Sequence, residues 1–138
     1  MAANDFQYAS TPIPGDIAVK NTEASADIAA GNVVKLDASH VVSGTQPQYG
    51  AVLATTDDYP LGVAMESIPN GKTGRVRPLG IAQVVASAAI TAGALVQASS
   101  SAKVKTQVSA KPQLGQALTA AAGDGDKLLV AIAIANNA

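Results

Sequence analysis

Asn70-Gly71-Lys72-Thr73 ends in the Gly-Lys-Thr that closes a phosphate-binding loop. The full pattern also places a glycine five residues before Gly71, where this chain has Glu66, and needs a helix to follow whose N–H groups face the phosphate. Instead Gly74 and Pro78 follow, with the alternation Arg75-Val76-Arg77 between them, so the segment reads as a turn into a strand. His40 is the single histidine, three residues after Asp37 among many serines. A hydrolase triad needs its nucleophile on a strained turn of the Gly-x-Ser-x-Gly kind, and the chain contains none. Asp124 and Asp126 alternate around Gly125, but the further oxygen ligands and bidentate Glu of a calcium loop are missing. Cysteine is absent, which removes disulfides and thiolate metal sites. These residues predict no enzyme, no catalytic residue, no cofactor and no metal.

The remaining polar and aromatic signals point to contact rather than catalysis. Lys72, Arg75 and Arg77 form a small basic face, read first as a solvated strand edge that blunts aggregation and second as a contact for an acidic surface. Asp57-Asp58 suits a solvated turn. Residues 1–16 read as an extended N-terminal arm, because Pro12 and Pro14 favour extended over helical backbone. The arm carries Phe6, the only phenylalanine, and Tyr8. Such aromatics either fold back on their own domain or anchor to a partner.

The elements behind these residues are strands. Ile17 and Val19 open the first, and Val33-Val34-Lys35-Leu36 is a β-branched run after Gly31. Residues 45–60 are rich in polar and turn residues around a short strand at Tyr49, Val52 and Leu53. Asn70-Gly71 sits between two strand-like runs, as a tight hairpin turn requires. Residues 81–92 suit strand or helix, with Val84-Val85 tipping them to strand. Leu114–Leu118 and Leu128–Ile134 bracket a second hairpin with Asp124-Gly125 at its turn.

Hydrophobic residues make up 48% of the 138-residue chain, yet aromatics are only 3% and charged residues only 14%. A core of Ala and Val gains less per residue than one of Leu and Phe, because transfer energy follows apolar area. Added burial is therefore expected from oligomerisation or from docking on a larger surface. Nine basic and ten acidic residues leave a net charge of −1, with no clustered footprint for nucleic acid. No stretch approaches the length of a membrane helix, and the N-terminus lacks the basic and apolar regions of a secretory signal. The expectation is a protein made and assembled in a cytoplasm, with no membrane and no nucleic acid as partner.

The two halves align. Ile28-Ala29-Ala30-Gly31-Asn32-Val33-Val34 matches Ile90-Thr91-Ala92-Gly93-Ala94-Leu95-Val96, and Leu61-Gly62-Val63-Ala64 matches Leu114-Gly115-Gln116-Ala117. Gly71 then matches Gly125, and Val76 matches Val130. The first half is longer between these motifs by nine residues, expected in the 45–60 loop, where insertions are tolerated. The reading is an all-β fold: residues 17–138 form one domain, a small barrel or sandwich built from two strand–hairpin units at about 17–80 and 81–135. Gly62 and Gly115 are expected to let a neighbouring backbone approach closely.

This order of motifs resembles the tailed-phage capsid decoration, or cement, proteins, small β-proteins often encoded beside the major capsid protein. The residues carrying the resemblance are Gly15-Asp16, Ala30-Gly31-Asn32-Val33-Val34, Leu61-Gly62-Val63-Ala64, Gly71 and Arg75-Val76-Arg77-Pro78-Leu79, with the second copy at 92–96 and 114–117. It implies a structural virion protein that binds the outside of an icosahedral capsid and stabilises it. The implied partner is a major capsid protein of HK97-like fold, the implied state a homotrimer, and the place the capsid exterior. Phe6, Tyr8, Pro12, Ile13 and Pro14 are the first candidates for capsid contact; Tyr49, Tyr59, Arg75 and Arg77 are the second. The other reading is a carbohydrate- or receptor-binding β module on a virion or surface layer, although the Trp that stacks on sugars is absent.

Overall fold

The computed structural model describes residues 15–40 and 49–136. Phe6, Tyr8, Pro12, Ile13 and Pro14, and the Val41–Thr45 segment, lie outside them. The elements are β1 (Ile17–Asn21), β2 (Val33–Leu36), β3 (Tyr49–Leu53), β4 (Gly62–Ala64), β5 (Thr73–Arg77), β6 (Gly80–Val85), β7 (Leu95–Ala98), a 3₁₀ turn (Ser100–Ala102), β8 (Val104–Thr106), β9 (Gln113–Ala117) and β10 (Lys127–Ala135). The fold is all-β, as expected, and residues 80–85 take the strand option.

Each half builds its own body. β1–β5 close a barrel in the order β1-β3-β2-β4-β5, with β1 parallel to β3 and antiparallel to β5. β6–β10 form a sheet in the order β6-β10-β9-β7-β8. That is the same wiring, with β6 in the place of β1 and β8 in the place of β3. The two end strands meet only at the parallel bridge Ala86↔Val104, where the Ser87 N–H donates to the Val104 carbonyl at 2.8 Å. The expected small barrel is built by the first unit alone, and the second packs on it as a five-stranded sheet whose ends share a single bridge.

The repeat holds hydrogen bond by hydrogen bond. Gly31 N–H donates to the Ala64 carbonyl at 2.8 Å and Gly93 N–H to that of Ala117 at 2.7 Å. Met65 N–H donates to the Arg75 carbonyl at 3.0 Å and Leu118 N–H to that of Leu129 at 2.8 Å. The bridge Ile28↔Ile68 is matched by Ile90↔Ala121. Gly71 and Gly125 turn the hairpins at φ of 78° and 90°, a region glycine enters without strain. Pairing also places the extra residues. Leu53 faces Val34 nineteen positions back, whereas Thr106 faces Val96 ten positions back. Leu53 to Gly62 and Thr106 to Gly115 are equally spaced, so the whole insertion falls between β2 and β3. That is within 37–48, ahead of most of the 45–60 loop expected to hold it.

A five-stranded barrel is narrow, which explains the small residues inside it. Val19, Ile28, Val34, Ala51, Ala64, Ile68 and Val76 fill it. A side chain at Gly74 would run into Ile68, and one at Gly62 into the Arg77 carbonyl. Gly115 stands in the same relation to the Ala131 carbonyl, so both Leu-Gly-x-Ala glycines permit the close backbone approach expected of them. Successive strand residues face opposite ways. Val34 points into its own barrel, and Val33 points out, into the larger core around Val84, Ile90, Val96, Leu114, Leu128 and Val130. Val63 and Ala54 join Val33 there. Burying each valine stabilises the union of the two bodies by about 2 kcal/mol. Only Pro78 and Leu79 separate β5 from β6.

Candidate functional site

The turn that carries Gly-Lys-Thr is consumed by the fold. Asn70 N–H donates to Asp27 Oδ1 at 2.9 Å and Asn70 Nδ2 to the Glu23 carbonyl. Lys72 N–H closes the turn on the Pro69 carbonyl at 2.9 Å. Gly71 N–H is bonded to Asn21, and the next element is strand β5 rather than a helix. The N–H groups that would cradle phosphate already have protein acceptors, so the segment is a structural turn.

Asp37 is likewise absorbed. The Ser39 hydroxyl donates to one of its carboxylate oxygens and the Thr22 hydroxyl to the other, each at 2.6 Å. These bonds hold the Asp37 carboxyl below its ordinary value. In a triad the imidazole stands between hydroxyl and carboxylate. Here the hydroxyls reach the carboxylate directly, and His40 packs over Gly50. Asp126 caps its own turn by accepting from Ala122 and Gly123 N–H, and Asp124 pairs with Lys103 at 2.8 Å. Among the described residues, no group of three His, Cys, Asp or Glu is placed to hold a metal ion.

Asp57 and Asp58 do more than the solvated turn expected of them. Gln97, fully buried on β7, donates to Asp57 Oδ1 at 2.7 Å and accepts from Val108 N–H at 2.8 Å. That amide, with Lys111 beside it, lowers the Asp57 carboxyl. Burial works to raise Asp58, but the Thr55 N–H and hydroxyl and Lys35 at 2.9 Å outweigh it and leave it low. The Ala102 N–H donates to the Ala54 carbonyl at 3.1 Å. The β3–β4 connection is thus a clasp between the bodies. Nothing in the sequence marked Gln97 as its partner, beyond being an amide in an otherwise apolar strand.

Arg75 and Arg77 lie on a strand that is paired on both sides, with β4 and β1, so the solvated-edge reading does not hold. Arg77 Nε donates to Asp16 Oδ1 at 2.9 Å and its Nη1 to the Ile81 carbonyl at 2.8 Å. The Asp16 carboxylate raises the Arg77 guanidinium above its ordinary value. Arg75 reaches Glu66 at 3.2 Å and Asp16 at 3.8 Å. The Asp16 side chain is nearly fully buried between the arginines, so this last residue of the expected arm is fixed to the body. Tyr49 and Tyr59 are half exposed, on β3 and on the β3–β4 connection, and β1 lies between β3 and the arginine strand. A cleft of about 260 Å³ opens where Ala30, Gly31 and Met65 meet Gln83, Val85 and Lys127. It is smaller than ordinary ligand sites, which begin at roughly 300 Å³.

The sequence matches the model of the phage cement protein family over residues 13–132, a span that takes in β1 to β9 and most of β10. The chain belongs to the phage cement protein family. This is a structural, non-enzymatic family, in keeping with polar groups that serve turns, clasps and ion pairs. The fold of this cement protein is also that of "head fiber gp8.5 N base in bacteriophage phi29", with a TM-score of 0.64 at 16% identity, covering 86% of this chain and 92% of that one. Comparison with curated proteins gives no match. The cement protein is thus a virion-associated structural protein with an all-β body.

Proposed function

We propose that this cement protein binds the outer surface of an icosahedral capsid and holds neighbouring capsid subunits together against the pressure of packaged DNA. The partner is a major capsid protein of HK97-like fold, the working form is a homotrimer, and the place is the capsid exterior. The observation that carries the reading is the family match, across a body in which, among the described residues, every buried side-chain polar atom has a hydrogen-bond partner. Phe6, Tyr8, Pro12, Ile13 and Pro14 supply the main contact, since aromatic and proline side chains in a polar segment gain most from burial on a partner. Tyr49 and Tyr59 are open for a second contact. Arg75 and Arg77 contribute less, because leaving Asp16 and Glu66 would uncover those carboxylates.

Co-sedimentation with phage heads tests this. The full chain should pellet with heads, and a variant lacking residues 2–14 should bind far more weakly while keeping its β-sheet circular dichroism. Raising salt should change binding little, because the contact is mainly apolar. Equal binding by the truncated chain would overturn the assignment of the contact to its N-terminal residues.

A further inference from the structure

We propose that the outer face of β6, β10, β9 and β7 is the contact between copies of this chain. The inference deepens the oligomeric part of the proposed function and names its surface. Pairing sets two rows of side chains on that face. Leu95, Gln116, Ala131 and Ile81 face one another across β7, β9, β10 and β6. Leu118, Leu129 and Gln83 form the next row. None carries charge, and Ile81, Leu118, Leu129 and Leu95 are 54%, 45%, 41% and 42% exposed. Leu79 adjoins the Ile81 end and is 68% exposed. An uncharged, mainly apolar face of this kind, broken only by Gln116 and Gln83, marks on a small protein a place where something binds.

The other half of the molecule shows what covers it. The repeat register gives each position a counterpart on the first barrel: Val33, Val63, Arg77 and Asp16 form the first row, and Met65, Arg75 and Ala18 the second. On that barrel Val33 and Val63 are fully buried, and Met65 packs with them, under the second unit of the same chain. The fold therefore already covers one such face with a body of its own kind. Where the first face is not covered by apolar contacts, it carries Arg77, Asp16 and Arg75. The second face has Ala131, Ile81 and Leu129 at those positions. At those positions the charges are gone, as they are at the buried centre of a subunit interface, and Lys127, opposite Val85 in the row beyond Leu129, bounds the face. A further copy of this chain supplies a body of the right kind, and point-group symmetry closes the assembly.

The test uses the full chain, light scattering after size exclusion, and co-sedimentation with heads. Wild type should run as a multiple of the monomer mass. Leu118→Lys/Leu129→Lys should run as a monomer with unchanged circular dichroism, and Leu36→Lys, at an exposed position of the first barrel, should keep the wild-type mass. The chain has no cysteine, so Leu118→Cys and Leu36→Cys each give one thiol for a pyrene label. Excimer emission is expected from the first and not from the second. A monomeric wild type, or a double Lys variant that keeps the multimer, overturns the inference. Loss of head binding by wild type would instead overturn the capsid reading, whatever its mass.

Discussion

The two bodies share a wiring diagram and differ in how they finish it. In the first, β1 and β3 pair over three positions and the barrel closes. In the second, the β6 and β8 ends meet at one bridge, and Val33, Val63 and Ala54 of the first barrel complete its core. The first unit thus supplies a plug and the second a socket. The same topology can be self-contained or dependent, and what decides is where the valines of one strand face point.

The largest effect should come from the paired glycines of β4 and β9. Gly62→Ala and Gly115→Ala each drive a Cβ into a backbone carbonyl that cannot step aside, and each should cost about 3 kcal/mol by urea denaturation. A neutral result at one site would break the structural equivalence of the units. Next is the asymmetry of plug and open face. Val63→Ala should cost about 2 kcal/mol, and its counterpart Gln116→Ala about 0.5 kcal/mol or less, in the monomeric Leu118→Lys/Leu129→Lys background. Equal costs would mean that the two faces are alike. Asp16→Asn should cost about 1–2 kcal/mol, since Arg77 is left without its carboxylate but remains partly solvated. Gly71→Ala and Gly125→Ala, both at positive φ in open space, should cost about 1 kcal/mol each and by matching amounts.

Acid should bear on the clasp with the smallest effect near neutrality. Asp57 and Asp58 are lowered in the folded protein, as is Asp37 on the first barrel. The unfolded chain takes up those protons first, at a pKa of about 3.9, so the stabilisation is complete above that value. It is lost as pH falls through the lower folded values. Urea midpoints should therefore drop on acidification below about pH 4. Asp57→Asn/Asp58→Asn should flatten that dependence, and an unchanged slope would remove the clasp from the account.

Much of this was legible in the residues. Gly31, Gly62, Gly71 and their counterparts announce the repeat because each occupies a place where a side chain or an ordinary backbone conformation is excluded. The spacing of motifs gave the size of the insertion but not its position, because Tyr49–Leu53 and Val104–Thr106 share no side-chain pattern. Only pairing with β2 and β7 fixes their register. Arg75 and Arg77 alternate like a solvated edge, yet the strand that covers them lies more than fifty residues away, beyond any local pattern. The open face did leave a signal: Leu128–Ala135 is apolar on both sides, as strands covered on both faces are.

The socket also sets how the polypeptide can be divided. Cut at the two-residue joint, the first half would be a sealed barrel with a bare valine stripe. The second would be a sheet whose core has lost the side chains of that stripe. Supplied as separate polypeptides, they are a split protein whose halves carry their own means of reassembly, and a reporter placed at the cut would read out their reunion.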